Sequence, residues 1–343
     1  MSDTVPASVL TMPPLFSDEP QLIGVGSPLV DLVLRVDDAF LAKHVQGAKG
    51  GMEFIDADGI HRLITASAKM PSQSPGGSAA NITVGCANLG VPAAFIGSCG
   101  NDDLAAFYAE ALTAQRCQPR LVDHASLPTG RVLAMVTPDG ERTMRTCLGA
   151  AAALDPAYFT PAVFRGARVV MVEGYSLFNH ELARAIVRAA RGAGCQVALD
   201  LAAFEVVQAN REVIDELFAL GIDLVFANQD EARAWNPGGE DVALSDLASR
   251  AGIAVVKLGK DGALVARGDE RVRVASDVVS AVDTIGAGDC WAAGFLAAWL
   301  RGLPLAVCGR LGCLSGAAVV QVAGAQLPRE TWLGLKGRLD AWG

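Results

Sequence analysis

Apolar and polar positions alternate along much of the chain in blocks that predict strands separated by helices. After residue 168, strand-like apolar runs occupy residues 169–173, 196–201, 224–227 and 254–258. Between these runs, apolar residues recur at helical spacing over residues 181–191 and 211–220. This alternation predicts an α/β fold made of βαβ units, with a mostly parallel sheet between two layers of helices.

The first half of the chain is less regular. The pattern predicts, in order, a strand at 22–26, a helix at 81–89, a strand at 92–98 and a helix at 102–115. A Pro-Asp-Gly turn then separates residues 131–137 from 142–147 and predicts a β-hairpin. Residues 36–64 are polar, and we expect them to be irregular. The hairpin and the segment after Asp31 together predict a small sheet that acts as a lid.

These patterns predict one main domain over residues 21–343, with a discontinuous β lid from about 31–64 and 128–148. Residues 1–20 contain four prolines and several acidic residues and are expected to form a flexible tail. They lack the basic start and long apolar core of a signal peptide.

A glycine turn followed by a helix stands out near the C-terminus, at Gly286-Ala287-Gly288-Asp289. Trp291, Phe295 and Trp299 follow at intervals of four residues, which predicts a helix with one buried face that starts near Asp289. The first N–H groups of a helix lack internal partners and favour an anion. The turn is therefore a candidate phosphate site.

Asp289 places a carboxylate at this candidate phosphate site, and two interpretations remain open. Asp is a favoured N-cap residue, so Asp289 could simply cap the helix. Alternatively, Asp289 takes a proton from a hydroxyl group that attacks the bound phosphoryl group. In that case the N–H groups of Gly286, Ala287 and Gly288 form the anion hole.

Two further candidates lie in the first quarter of the chain. Asp31 is an acid in an apolar run, so it either lies in water at a sheet edge or faces hydroxyl groups in a pocket. Gly76 and Gly77 precede Asn81, whose amide can both donate and accept hydrogen bonds. The alternative for Gly76 and Gly77 is a plain glycine turn with a cap.

Polar residues and glycines also follow two predicted strands. Asn228 and Glu231 come just after residues 224–227, and Lys257, Gly259 and Gly262 lie at the end of the next strand. Ligands of parallel sheets bind at the carboxyl ends of the strands. We therefore expect these groups to converge with the glycine turn at one edge of the sheet.

Composition excludes several classes of function. The 343 residues carry a net charge of −9, so a nucleic-acid partner is not expected. No apolar run is long enough to cross a bilayer without interruption, so no membrane partner is expected. The eight cysteines form no CxxC pair, and a reducing cytoplasm fits them best.

The absence of several sequence motifs excludes or disfavours further classes of enzyme. The chain contains no GxxxxGK[ST], HExxH or GxSxG sequence, which excludes a P-loop kinase and argues against a zinc site and an α/β-hydrolase. The Gly-Val-Gly at Gly24 lacks the third glycine of a dinucleotide fingerprint, and Pro28 stands where the helix should open. An oxidoreductase with a nicotinamide cofactor is therefore disfavoured.

From about Leu22 onwards the chain resembles the PfkB or ribokinase-like family of small-molecule kinases. Four features carry the resemblance, namely Gly-Ser-Pro-Leu-Val-Asp ending at Asp31, the Gly-Gly-Ser-Ala-Ala-Asn run ending at Asn81, Asn-Gln-Asp-Glu at 228–231, and residues 283–289. Within the family, the long insert before the Gly-Gly run and Pro-Thr-Gly at 128–130 are most like the adenosine kinase branch. The resemblance implies a three-layer α/β/α fold with a small β lid.

The resemblance to this family also implies an activity and a set of site residues. An ATP-dependent kinase would phosphorylate the hydroxymethyl group of a nucleoside or sugar, with Asp289 as base and Arg142 on the lid contacting the phosphate. Asp31, Gly76, Gly77, Asn81 and Ser27 would bind the acceptor. The nucleotide would contact Asn228, Lys257, Gly259, Gly262, Gly286 and Gly288. Asn228 and Glu231 would serve Mg²⁺ through water, and Asp283 with the Ile285 carbonyl would bind K⁺.

The acceptor itself stays open at this point. Adenosine is favoured, but Ser27 stands where adenosine kinases often have asparagine, and no aromatic residue can be assigned to stack on a purine. Inosine, guanosine, ribose and fructose are the other acceptors. A non-catalytic homologue that only binds a nucleotide or sugar is a further alternative, and both a monomer and a homodimer are compatible with the sequence.

Overall fold

The computed structural model describes residues 19–343. The predicted flexible tail therefore lies outside the described residues, apart from Glu19 and Pro20. The strands, in chain order, are β1 (Leu22–Val25), β2 (Leu29–Arg35), β3 (Met52–Phe54), β4 (Ser72–Gly76), β5 (Ala93–Gly100), β6 (Cys117–His124), β7 (Gly130–Val136), β8 (Arg142–Cys147), β9 (Val169–Glu173), β10 (Gln196–Asp200), β11 (Leu224–Asn228), β12 (Ile253–Lys257), β13 (Ala263–Arg267) and β14 (Glu270–Val274).

Helices occupy most of the intervening chain. In order, they are α1 (Asp38–His44), α2 (Ala57–Ser67), α3 (Ser78–Asn88), α4 (Asp103–Ala114), α5 (His180–Gly192), α6 (Phe204–Ala209), α7 (Arg211–Gly221), α8 (Gln229–Trp235), α9 (Glu240–Arg250), α10 (Ala287–Leu300), α11 (Leu305–Val319) and α12 (Arg329–Trp342). Among these helices, none combines the length and apolar composition that crossing a membrane requires.

The main sheet has the strand order β14-β13-β12-β11-β10-β9-β1-β5-β6. All neighbours from β12 to β6 pair in parallel, and only β13 and β14 are antiparallel. Successive strand residues face opposite sides, so Val170 packs with α5 and α7 while Met171 packs with α3 and α10. The predicted three-layer α/β/α fold is confirmed.

The second sheet has the order β3-β8-β7-β2-β4, and its β7–β8 pair is the predicted hairpin. One face of this small sheet is buried, with Leu32 and Leu133 in the same cluster as Leu41 of α1 and Ile60 of α2. The expectation that residues 36–64 are irregular is wrong. Asp37 and Asp56 cap α1 and α2, so two helices form where the apolar pattern alone gave no signal.

The long helix after the glycine turn also differs from the prediction. It begins at Ala287, two residues before Asp289, and is buried on all sides between Cys290 and Ala298. Glycines of α10 and α11 allow this burial, because a Cβ on Gly294 of α10 would lie 2.7 Å from the Leu311 carbonyl oxygen, and one on Gly312 would lie 2.7 Å from the Trp291 ring. The two helices therefore pack closely and hold the glycine turn against the core.

Candidate active site

The glycine turn at the N-terminus of α10 forms the centre of the site. Gly286 is the N-cap with φ +74°, and a Cβ there would lie 2.6 Å from the Cβ of Ala325, so glycine is required for two reasons. Asp289 is the third residue of the helix, and no side chain in the described part of the chain caps its N-terminus. The interpretation that Asp289 is the N-cap is therefore wrong.

The backbone of the turn leaves donors for an anion. The N–H of Ala287 bonds to the carbonyl oxygen of Thr284 at 3.3 Å. Within the described residues, the N–H groups of Gly286 and Gly288 have no hydrogen-bond partner. Two of the three predicted anion-hole donors are thus available at a helix terminus whose dipole favours negative charge.

Two side chains of α3 hold the Asp289 carboxylate. Ser78 Oγ donates to Oδ1 at 2.8 Å, and Asn81 Nδ2 donates to Oδ2 at 2.9 Å. Burial raises the pKa of Asp289, and the hydrogen bond from Asn81 acts in the opposite direction. The sequence analysis assigned Asn81 to the acceptor and missed Ser78, which precedes Asn81 by one helical turn.

A buried ion pair lies beside the turn. Lys257 at the end of β12 places its Nζ 2.8 Å from Oδ2 of Asp200 at the end of β10. A Cβ on Gly288 would lie 3.1 Å from the same Nζ, so the ammonium group borders the first turn of α10. Burial acts to lower the pKa of Lys257, but Asp200 and Glu231 outweigh it and leave the pKa raised. A permanent positive charge therefore adjoins the candidate anion site.

Glu173, at the end of β9, is a second residue that the sequence analysis missed. Its carboxylate accepts the N–H of Ser27 at 2.7 Å and the N–H of Ala79 at 3.1 Å. Burial raises its pKa to about 6. Glu173 ties the turn before β2 to the first turn of α3, and two of the predicted acceptor residues, Ser27 and Asn81, lie in these turns.

The predicted acceptor residues lie together on the small-sheet side. A Cβ on Gly76 would lie 2.6 Å from Oδ2 of Asp31, so the glycine leaves this carboxylate uncovered. Gly77 has φ +101°, and a side chain there would overlap the Ser27 carbonyl oxygen. Buried Tyr108 donates to the Gly76 carbonyl oxygen at 2.7 Å and fixes the turn. Burial raises the pKa of Asp31 to about 6.

The face of the small sheet that carries Asp31 is mostly apolar and only partly buried. Strand pairing sets Asp31 beside Val132 and, two positions along β2 and β7, Val33 beside Ala134. Met144 and the exposed Met52 continue the second row across β8 and β3. An apolar surface therefore extends sideways from Asp31.

Aromatic rings also border the site, although none was predicted. Phe54 on β3 is 64% exposed and lies in the cross-strand row of Asp31. Tyr175, just after β9, is 49% exposed, and burial raises its pKa, with Glu173 and Asp289 acting in the same direction. The position of Tyr175 after a buried strand was the available signal.

Arg142 on β8 crosses from the small sheet to the glycine turn. Its Nη2 lies 2.7 Å from Oδ2 of Asp283, which also accepts the N–H of Gly324 at 2.9 Å, while Oδ1 accepts the N–H of Ile285 at 3.2 Å. Burial alone would raise the pKa of Asp283, but these hydrogen bonds hold it below its usual range. With the guanidinium on its carboxylate, Asp283 does not fit K⁺ in this arrangement.

Asn228 and Glu231 form a capping box at the start of α8. Glu231 Oε2 accepts the N–H of Asn228 at 2.8 Å, and Asn228 Oδ1 accepts the N–H of Glu231 at 2.9 Å. Burial raises the pKa of Glu231 to about 7. Within residues 19–343, no cluster of three or more His, Cys, Asp or Glu residues could hold a metal ion. Because Asn228 and Glu231 bond to each other, a role for the pair in binding Mg²⁺ through water stays a prediction.

The remaining predicted nucleotide-binding glycines form the tight turn between β12 and β13. Gly262 has φ +93°, and a side chain there would overlap the Val274 carbonyl oxygen. Gly259 has φ +59° with open space around it. This turn follows Lys257 directly, at the same edge of the sheet as Asn228.

Comparison with known proteins gives a consistent result. A family model described as pfkB family carbohydrate kinase matches residues 51–332. The adenosine kinase of Sinorhizobium meliloti is 34% identical, with a TM-score of 0.80 over 93% of this chain and 99% of that chain. A probable sugar kinase from Rhizobium etli CFN 42 is 32% identical, with a TM-score of 0.82 over 93% and 98%. An ATP-dependent ribose-1-phosphate kinase from Halopiger xanaduensis is 34% identical over 68% of this chain and 76% of that protein.

Proposed function

Because the chain belongs to the pfkB family of carbohydrate kinases, we propose that it transfers the γ-phosphoryl group of ATP to the hydroxymethyl group of a ribonucleoside, with adenosine as the first acceptor. Membership confirms the resemblance drawn from the sequence motifs. It also makes the chain a phosphotransferase that acts on a hydroxyl group of a small molecule.

The observation that carries the proposal is the carboxylate of Asp289 inside an anion-binding helix terminus. Asp289 takes the proton of the acceptor hydroxyl as that oxygen bonds to the γ-phosphorus and the bond to the β–γ bridging oxygen breaks. Ser78 and Asn81 each occupy one carboxylate oxygen and orient the group. A homologue that only bound its ligand would have no use for this base.

Fixed donors and charges oppose the negative charge of the phosphoryl group. The N–H groups of Gly286 and Gly288 are held in place by the start of α10. They therefore need not move when negative charge develops on the phosphoryl group. The Lys257 ammonium adds a positive charge beside Gly288. Arg142 reaches the same turn from the small sheet, which acts as a lid in this proposal.

Mg²⁺ bound to the nucleotide would supply charge neutralisation on the phosphate oxygens. Hydrogen bonds in the capping box fix the Glu231 carboxylate at the carboxyl end of β11. From this position Asn228 and Glu231 would orient the waters bound to Mg²⁺. K⁺ at Asp283 stays a prediction that requires Arg142 to leave the carboxylate.

The surroundings of Asp31 support a nucleoside rather than a free sugar as the acceptor. Asp31 accepts hydrogen bonds from two vicinal ribose hydroxyls, and the apolar row of Val33, Ala134 and Met144 beside it would cover a base. A free ribose would leave this surface in water.

Ribose 1-phosphate is a second candidate, favoured by the relative named for it and by two arginines. Arg35 and Arg142 flank Val136 on the face of the small sheet that carries Asp31. The two guanidinium groups would attract the 1-phosphate of this acceptor. This candidate leaves the apolar row uncovered, so adenosine remains first.

An acceptor panel separates these candidates. We expect adenosine to be phosphorylated with the highest kcat/KM, and 2′-deoxyadenosine to lose roughly 10²-fold or more, because the partly buried Asp31 would keep an unpaired acceptor under the bound ligand. ADP release is measured with ATP and Mg²⁺ for adenosine, inosine, guanosine, 2′-deoxyadenosine, ribose, fructose and ribose 1-phosphate. Equal rates for adenosine and 2′-deoxyadenosine would show that Asp31 does not bind the ribose hydroxyls. Phosphorylation of ribose 1-phosphate and of no other acceptor in the panel would show that the substrate is the sugar phosphate and not a nucleoside.

The raised pKa of Asp31 predicts a pH dependence of acceptor binding. Burial raises this pKa to about 6, and the Arg142 guanidinium acts to lower it. The ionised form accepts from both hydroxyls, so the KM for adenosine should be constant above pH 7 and rise as the pH falls through about 6. The Asp31→Asn variant should have a higher KM that no longer changes between pH 5 and 7. A wild-type KM that is flat over this range would contradict the assignment.

A further inference from the structure

A glutamine outside the predicted motifs is bonded to the segment that holds the Gly-Gly run and, through Asn81, is connected to Asp289. Gln326 lies in the loop between α11 and α12. Its Nε2 is 3.2 Å from the Pro75 carbonyl oxygen and 3.1 Å from Oδ1 of Asn81. Asn81 in turn donates from Nδ2 to Oδ2 of Asp289 at 2.9 Å. Two side-chain amides thus connect a backbone carbonyl to the carboxylate.

The two ends of this chain of hydrogen bonds fix its direction. The Pro75 carbonyl and an ionised Asp289 can only accept hydrogen bonds, so each amide must direct its NH₂ group at the end that it contacts. With its NH₂ group held by Pro75, Gln326 meets Asn81 as a donor. Asn81 therefore presents its oxygen to Gln326 and its NH₂ group to Asp289.

The loop that carries Gln326 is itself anchored at the site. The N–H of Gly324 donates to Asp283, and the Cβ of Ala325 packs against Gly286, so the loop contacts the glycine turn on both sides. The loop thus has little freedom to move Gln326 away. Its contacts place one rigid segment against the Gly76 turn, α3 and α10 together.

Building on the proposed role of Asp289 as the base, we propose that Gln326 is a positioning residue that locks the Asn81 amide with its donor towards Asp289. The lock keeps the carboxylate ionised and oriented, with lone pairs left for the acceptor hydroxyl. Without it, Asn81 can turn its oxygen towards Asp289, and two acceptors would then face each other. Gln326 acts through Asn81 and does not contact the reacting atoms.

Other ionisable groups also face Asp289 from the ends of neighbouring strands. They are Glu173 at the end of β9 and Tyr175 just after it, Asp200 at the end of β10, Lys257 at the end of β12, and the adjacent Cys290. None of these groups is bonded to Gln326 among the described residues. A change at Gln326 therefore reaches Asp289 through Asn81, while the surrounding charges stay constant.

The Gln326→Glu variant tests the lock with an isosteric change. The carboxylate introduced by this substitution accepts instead of donating, so Asn81 should turn its NH₂ group to it and its oxygen to Asp289. We expect kcat for the best acceptor to fall about tenfold or more, and the acidic limb of the kcat–pH profile to move to higher pH as the pKa of Asp289 rises. Gln321→Glu is the matched control, because Gln321 lies in the same segment and, within residues 19–343, its side chain bonds only to the Ala317 carbonyl. It should change neither quantity.

A double-mutant cycle in urea unfolding tests the same chain of hydrogen bonds without any substrate. In the Asp289→Asn background the side-chain amide can present either its oxygen or its NH₂ group to Asn81, so the Gln326→Glu change should lower the unfolding midpoint less than in wild type. An equal effect in both backgrounds, or a Gln326→Glu enzyme with wild-type kcat and an unmoved acidic limb, would overturn the proposal. Coupling in the cycle together with no phosphoryl transfer by wild type would refute the kinase proposal and leave the hydrogen-bond chain standing.

Discussion

Replacing Asp289 by Asn is expected to lower kcat by roughly 10²–10⁴-fold, the usual contribution of a general base. The variant keeps the size of the side chain and an oxygen that can accept from Asn81 at the position of Oδ2. It loses the lone pair that takes the hydroxyl proton. Since the site stays intact, the KM values for ATP and the acceptor should change little, and the acidic limb of the kcat–pH profile should disappear.

The matched control is Asp103→Asn, which makes the same chemical change in the first turn of α4. Asp103 is exposed and is not hydrogen-bonded to any residue of the site. Its variant should retain wild-type kcat. Near-normal turnover by Asp289→Asn, with the control behaving as expected, would mean that another group or solvent takes the proton.

Replacing Gly286 by Ala should have the second largest effect, a loss of roughly 10²–10³-fold in kcat. The new Cβ would lie 2.6 Å from the Cβ of Ala325, so the turn must shift, and its N–H donors would leave the position where the phosphoryl charge develops. The left-handed φ of +74° adds strain to the same turn. Single-turnover rates at saturating ATP measure the loss directly.

The Gly302→Ala variant is the control that introduces the same backbone strain without displacing the N–H donors of the glycine turn. Gly302 follows the other end of α10 with φ +77°, and a Cβ there meets no atom of residues 19–343 within 4 Å. This variant should lose about 1 kcal/mol of stability and keep its kcat. If Gly286→Ala kept wild-type single-turnover rates, the phosphoryl group would have to be held by other donors.

Features encoded in short stretches of sequence could be predicted. The apolar alternation after residue 168 was sufficient for the parallel sheet, because strand and helix periods differ locally. The glycine turn with Asp289 could also be recognised from local sequence, because Gly286, Gly288 and the helix are adjacent in the chain. The error there was the start of α10, where glycine rather than aspartate caps the helix.

Contacts between distant segments could not be predicted from local patterns. Ser78 and Asp289 are 211 positions apart, and Asn81 and Gln326 are 245 apart, so only the assembled sheet brings them together. Glu173 and Asp200 gave a weaker signal that was available, because each ends an apolar strand with a buried acid. Asp31 is the position where an acid in an apolar run did lead to a predicted site.

The burial of α10 on all sides between Cys290 and Ala298 could not be predicted for a different reason. Trp291, Phe295 and Trp299 suggested one apolar face, while the intervening alanines and Gly294 gave no signal. Small residues on the remaining faces let α3 and α11 approach closely, so the helix is surrounded. Spacing of large side chains alone does not distinguish an amphipathic helix from a central one.

The most direct test of phosphoryl transfer with Asp289 as the base follows the phosphorus of ATP into product by ³¹P NMR, using wild type and Asp289→Asn with adenosine and Mg²⁺. We expect wild type to form a 5′-phosphomonoester of adenosine and ADP in equal amounts. We expect Asp289→Asn to form both products at a rate at least about 10²-fold lower. Inorganic phosphate in place of the 5′-phosphomonoester would refute transfer to adenosine, and equal rates for the two proteins would refute the role of Asp289.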